Sequence, residues 1–325
     1  MLPDLLIASA RWSELQLVSS DLRSRGSPVV MPEPMDALWL SDDEVLVAGK
    51  DTDGRSAVTR VTVSDRQPTV AGSASVGLLP CALVAIRNVV FTACYSGGRI
   101  DVLEISTESA DPFVRGTIDM EGEFPAGPRD ATSRQEASHP HDVVPLDDGR
   151  RALICDLGAD RLYIIDSERL RVVDSVMLPK GSGPRKALVG PDGTLVVVCE
   201  LDSTIRCFSL SAGVYVQTDW STTTGQAREL NYAGDIVEPE PGMYVVANRG
   251  NGTLAAFRVE RGRLQRMFEQ DCGGAWPASL DARAGRVVVA NEHSDSVALF
   301  DVSAKGLALV ADTTSRAPSL VRFAP

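Results

Sequence analysis

The chain has 325 residues, 44% of them hydrophobic, enough to bury a large core. Its formal net charge of −12 excludes a surface built for nucleic acid or an anionic membrane, which needs clustered basic charge. An anionic small molecule held by a few local arginines stays open.

The N-terminal apolar run Leu5-Leu6-Ile7-Ala8, preceded by Asp4 and closed by Arg11, is too short for a signal h-region and lacks a basic start. No stretch approaches the roughly 18 uninterrupted apolar residues of a membrane span. Cysteines 81, 94, 155, 199, 207 and 272 show neither CxxC nor zinc-like spacing, so they are expected as thiols. A cytoplasmic protein is expected on these grounds.

A repeat then runs through the chain. An apolar run of about five residues, a small-residue turn and a second alternating run recur from Leu5, Val45, Val89, Arg151, Leu195, Met243 and Val287. The start-to-start steps are 40, 44, 62, 44, 48 and 44 residues. Short β-branched runs without a 3.6-residue period predict strands. About ten residues before most copies a proline opens a further strand: Pro34, Pro80, Pro140, Pro184, Pro277 and Pro318. A unit of about 44 residues with four short antiparallel strands has the size of one propeller blade. Seven copies predict an all-β, seven-bladed β-propeller as a single domain over residues 1–325. The strand at Pro318–Phe323 has no following partner and Leu5–Ser9 has no predecessor, so pairing them closes the first blade. The long step marks an insertion, residues 111–138, expected as a long loop.

The blade pattern predicts which residues share one end. Inner strands start at Ser319, Met35, Cys81, His141, Arg185, Ala233 and Ala278, and second strands end at Ala10, Lys50, Tyr95, Asp156, Glu200, Arg249 and Glu292. His139-Pro140-His141 first reads as a metal pair. The repeat splits it, assigning His139 to the preceding loop and His141 to the slot that Arg185 takes one blade later. With His293 the only other histidine, no metal and no cofactor are expected. The expected catalytic set is His141, Glu200, Arg185 and Arg249, with Asp156, Glu292, Tyr95 and Trp276 as substrate contacts. Arginine forks suit phosphate or carboxylate, and an imidazole can exchange a proton with water or a leaving alkoxide. No GxSxG elbow competes, because Gly181-Ser182-Gly183 lies in a loop.

Ala93-Cys94-Tyr95-Ser96-Gly97-Gly98, Arg134-Gln135 before His139-Pro140-His141, Cys155-Asp156-Leu157-Gly158, Gly181-Ser182-Gly183-Pro184-Arg185, Cys199-Glu200-Leu201-Asp202-Ser203 and Ala247-Asn248-Arg249-Gly250 carry a resemblance. Together they resemble the seven-bladed propeller lactonase family, which includes bacterial 6-phosphogluconolactonases and fungal carboxy-muconate lactonizing enzymes. The resemblance implies metal-independent hydrolysis in carbohydrate metabolism of a small anionic sugar lactone or phosphosugar, with no nucleic-acid or membrane partner. It places the family's active-site histidine, glutamate and two arginines on His141, Glu200, Arg185 and Arg249. The chain departs from relatives at Gly49-Lys50, Pro277-Ala278 and Val237. Lactone-forming cycloisomerisation and non-catalytic binding at the same end are the alternatives.

Overall fold

The repeat appears in a computed structural model as seven four-stranded sheets; the structure describes residues 4–23, 25–106, 109–125, 134–225 and 230–325. The all-β, seven-bladed class expected from the repeat is the one formed. In order from inner to outer strand, blade I is Leu320–Phe323, Leu5–Ser9, Glu14–Val18 and Val29–Val30, and blade II is Asp36–Ser41, Glu44–Lys50, Ser56–Ser64 and Gln67–Ser75. Blade III is Pro80–Ile86, Val89–Cys94, Arg99–Glu104 and Phe113–Asp119, and blade IV is Pro140–Leu146, Arg151–Asp156, Arg161–Asp166 and Arg171–Met177. Blade V is Pro184–Val189, Leu195–Cys199, Thr204–Ser211 and Val214–Thr222. Blade VI is Ala233–Glu240, Met243–Asn248, Thr253–Glu260 and Arg263–Asp271; blade VII is Pro277–Arg283, Arg286–Asn291, Ser296–Ser303 and Gly306–Thr314. No described helix is long and apolar enough to cross a membrane.

The chain divides into two compact units. Residues 13–16 and 26–185 hold blades II, III and IV; residues 1–12, 17–25 and 186–324 hold blades VI and VII, blade V from Lys186 onward, and the inner pair of blade I. In both units the core lies between neighbouring blades. Phe91, Ile100 and Val102 of blade III meet Ile154, Tyr163 and Ile165 of blade IV in the first. Met243, Val245 and Leu254 of blade VI meet Leu280, Val287 and Phe300 of blade VII in the second.

Burial falls from the second strand outward. Every residue of Val89–Cys94, Leu195–Cys199 and Met243–Asn248 is buried, because sheets cover both faces. That is why these segments read as unbroken apolar runs, each buried Val, Leu or Ile contributing ~1.5–3 kcal/mol. The outer strands Phe113–Asp119 and Arg171–Met177 are mostly exposed.

The predicted closure forms within the second unit. Leu5 pairs with Phe323, Leu6 with Arg322, Ile7 with Val321 and Ala8 with Leu320, antiparallel. The insertion differs from expectation. Its first part, read as loop, is the outer strand Phe113–Asp119, paired from Arg99↔Asp119 to Glu104↔Phe113. An exposed outer strand needs no apolar face, so it leaves no hydrophobic signature. Residues 126–133 of that expected loop lie outside the described residues.

Inner strands are also tied to one another by carboxylates. Asp36 Oδ2 accepts the Leu83 N–H at 2.8 Å, Asp235 Oδ2 that of Leu280 at 2.8 Å, and Asp281 Oδ2 that of Phe323 at 2.7 Å. Burial raises the Asp281 carboxyl. Burial opposes ionisation of Asp235 too, but Lys186 (Nζ–Oδ1 2.5 Å), Arg322 and the Leu280 N–H outweigh it and hold the carboxyl at about 2, below its ordinary 3.8.

A depressed folded-state value means Asp235 stabilises the protein above pH ~4 by about 2 kcal/mol, and that this is lost as pH falls toward ~2. Asp235→Asn is therefore expected to lower unfolding stability by about 2 kcal/mol at neutral pH, with the gap to wild type closing between pH ~4 and ~2. Denaturant titrations at both ends of that range measure it.

Candidate active site

The local backbone explains why His141 stands out of its sheet. The inner strands of blades III, IV and VII each slip register directly after their first residue, between Pro80 and Ala82, Pro140 and Asp142, and Pro277 and Ser279. Cys81, His141 and Ala278 are thus the extra residues of β-bulges. A bulge re-aims a side chain, and the proline before it has no N–H to leave unpaired.

In the first unit, His141 and Arg185 meet. Arg185 Nη1 donates to His141 Nε2 at 2.6 Å. A guanidinium has no acceptor, so Nε2 presents its lone pair and the ring proton sits on Nδ1. Nδ1 faces Cys81 Sγ at 3.9 Å. Burial pushes the Cys81 thiol well up, and the Arg185 charge offsets only part of that, so the sulfur stays protonated. The Tyr95 ring packs edge-on to His141 (centroids 5.4 Å, 78°) and stacks on His139 (4.3 Å, 7°). His139 is itself buried, with Nδ1 3.0 Å from the Tyr95 carbonyl and Nε2 3.1 Å from Glu136 Oε1. The histidine expected in a peripheral loop is therefore the support on which Tyr95 rests.

Asp156 requires a correction: it belongs to the scaffold. It is fully buried; Oδ2 accepts the Ser138 hydroxyl at 2.6 Å, and Oδ1 accepts the His139 and Ala159 N–H groups at 2.9 and 3.0 Å. Burial pushes its carboxyl up. The cause is a register slip of one residue. Pro140 pairs with Asp156 as Ala233 pairs with Asn248 and Pro277 with Asn291, and all three partners are fully buried. The position matching Glu200, Arg249 and Glu292 in blade IV is Leu157, also fully buried. Because side chains alternate along a strand, one step exchanges an outward position for an inward one. Aligning Cys155-Asp156-Leu157 with Ala247-Asn248-Arg249 is the signal that identifies this. Lys50, at the corresponding end in blade II, is paired with Glu33 at 2.5 Å.

In the second unit, Glu200 and Arg249 meet. Glu200 is 2% exposed, and its Oε1 lies 3.6 Å from Arg249 Nη1, an ion pair rather than a direct hydrogen bond. Arg249 depends on Gly234, the second residue of the blade VI inner strand. A Cβ there would lie 2.8 Å from Arg249 Nε and 3.3 Å from its Cγ. Gly234 is the residue that sequence reasoning missed, and its signal is an inner strand opening Ala233-Gly234 where other blades have proline and a side chain. Trp276, held at φ 60°, stacks on the exposed His293 (4.6 Å, 18°) and meets Tyr232 edge-on at 6.5 Å. The Glu292 N–H donates to the Trp276 carbonyl at 3.1 Å, which places the half-buried Glu292 beside that platform. Among the described residues no three His, Cys, Asp or Glu side chains gather as metal ligands, and all six cysteines carry thiols.

Comparison with known proteins gives a consistent picture. A family model described as lactonase, 7-bladed beta-propeller, matches residues 19–323. A Staphylococcus aureus (strain USA300) protein without an assigned function is 25% identical over 224 residues, 65% of this chain and 63% of the relative, so the match spans less than two thirds of the relative's length. The periplasmic gluconolactonase PpgL of Pseudomonas aeruginosa superposes with a TM-score of 0.83 at 19% identity over 100% of this chain and 99% of that one. A candidate 6-phosphogluconolactonase of Bacteroides fragilis superposes at 0.84 with 19% identity over 99% and 98%. At these identities the solved structures show the fold.

Opposite outcomes are expected for Asp156 and Glu292, two carboxylates of similar sequence context. Asp156→Ala leaves two buried donors and one part-buried donor without their acceptor and lowers unfolding stability by ~2–4 kcal/mol, whereas Glu292→Ala changes it by less than ~0.5 kcal/mol. Denaturant midpoints of the two variants against wild type check the assignment.

Proposed function

Because the chain belongs to the seven-bladed β-propeller lactonase family, whose model matches residues 19–323, we propose that it hydrolyses an anionic sugar lactone, with a phosphorylated gluconolactone as the leading substrate. The observation that carries the proposal is the 2.6 Å contact between the Arg185 guanidinium and the lone pair of His141 Nε2. It sets a neutral base beside a permanent cation, which is what attack of water on an ester carbonyl next to an anionic group requires. The reaction needs no metal ion in this reading, since a ring nitrogen facing a guanidinium is poorly placed to serve as a metal ligand.

Substrate binding draws the guanidinium to the incoming anion or carbonyl oxygen and releases Nε2. His141 then takes a proton from water as the hydroxyl attacks the lactone carbonyl carbon. The tetrahedral oxyanion is stabilised by guanidinium N–H donors. Its collapse breaks the carbon–ring-oxygen bond, and His141 returns the proton to the departing alkoxide, giving the hydroxy acid. The repeat and the family pattern assign Glu200 and Arg249 to the same reaction, Arg249 binding negative charge and Glu200 holding it. Support for joining the two pairs comes from the repeat and the family pattern. Trp276 stacked on His293 offers an apolar face to a sugar ring. The gluconolactonases among the structural neighbours support the sugar, and the thiols support a cytoplasmic location.

The test is 6-phosphogluconolactone hydrolysis above the spontaneous background. His141→Ala is expected to lower kcat/KM by about 100-fold or more and Glu200→Gln by about tenfold or more. Combining them should cost far less than the product of the separate losses. Equal rates for wild type and both variants overturn the proposal. Multiplying losses would show that the two pairs act independently.

A further inference from the structure

A cavity of about 220 Å³ lies within the first unit between blades III and IV, and lactone chemistry makes no use of it. It sits at the far ends of the strands that begin near Cys81 and His141. Its rim is the Arg87-Asn88 turn that follows Ile86, with Gly149 just beyond Leu146. The five steps from Cys81 to Ile86 put it ~17 Å from the His141 end.

Its lining is divided by chemistry. Phe91, Val102 and Leu170 form an apolar floor, while Arg87 and Arg115 stand exposed at the rim. Neither arginine has a carboxylate partner among the described residues, and Glu168 is the one acidic side chain in the lining. Arg87 is held at φ 57° in a two-residue hairpin turn, where glycine would be the low-cost residue. Between floor and rim, Ser167 is only 9% exposed, and its hydroxyl has no hydrogen-bond partner. A buried hydroxyl left unsatisfied costs ~1–3 kcal/mol, so this one is in want of an acceptor.

We propose that this cavity binds a small carboxylate with a one-ring aromatic body, the ring on Phe91, Val102 and Leu170 and the carboxylate between Ser167 and the two arginines. The size fits. A cavity of ~150 Å³ admits benzene and drug-sized ligands need ~300 Å³ or more, so 220 Å³ holds one ring and a carboxylate. The net positive rim selects an anion, and guanidinium forks match carboxylate oxygens. The exposed outer strand Phe113–Asp119 supplies Arg115 to this rim.

Benzoate is the probe and benzyl alcohol the uncharged control, titrated by calorimetry and by melting-point shift on the full chain. Benzoate is expected to bind at least about tenfold more tightly than benzyl alcohol. Replacing both rim arginines (Arg87→Ala with Arg115→Ala) should weaken benzoate about tenfold or more, and Ser167→Ala should weaken it less. Both arginines are exposed, so their replacement leaves folding intact. Arg185→Ala should leave benzoate affinity unchanged, which keeps this site separate from the lactone reading. The proposal is overturned if benzyl alcohol binds as well as benzoate, if the arginine replacements change nothing, if binding follows Arg185 instead, or if nothing binds up to about 10 mM.

Discussion

An inner strand has a sheet neighbour on one side only, so its other edge presents backbone N–H groups that must find an acceptor or remain unpaired. Buried carboxylates meet that need. Asp36 reaches the N–H of Leu83 in the first unit, while Asp235 and Asp281 reach those of Leu280 and Phe323 in the second. Each bond ties one inner strand to the next. The same strands carry the candidate site, and their alternation keeps the two tasks apart. Asp235 turns toward its neighbouring strand, while Gly234 beside it clears the space that Arg249 occupies. A buried carboxylate is costly unless compensated, and the ion pair with Lys186 is what keeps Asp235 charged.

How much of this the sequence discloses depends on what each residue must satisfy. Second strands, covered on both faces, have to be apolar, and runs such as Leu195–Cys199 disclose blade count and strand order. The terminal pairing is legible because Leu320–Phe323 and Leu5–Ser9 each lack a partner in their own neighbourhood. Outer strands carry no such demand, which is why Phe113–Asp119 is indistinguishable from loop in the sequence. Of the expected set, His141 meets Arg185 and Glu200 meets Arg249, each within its own unit; the repeat and the resemblance name these residues but not their pairing. Asp156 does not belong with them. The period of a strand is two, and a composition match at the wrong parity selects a scaffold residue with site-like chemistry. The bulge that frees His141 from the ladder is equally silent in sequence, because a proline at a strand start is compatible with either register.

The charge distribution around the two pairs bears on how an acidic protein handles an anion. A net charge of −12 repels anions at long range, yet at physiological ionic strength that field fades within ~8 Å. Binding is therefore decided by nearby groups, and in this respect the two arginines differ. Arg185 donates to a neutral ring nitrogen, a contact that consumes none of its positive charge. Arg249 instead faces a carboxylate at 3.6 Å, which offsets part of its charge. Glu200, 2% exposed, in turn fixes where Arg249 can stand, because moving the cation away would strand a buried charge at a cost of ~3–5 kcal/mol. A cation on a neutral base and a cation on a buried carboxylate suit different demands in the proposed reaction: parting the first contact separates no opposite charges, whereas parting the second does.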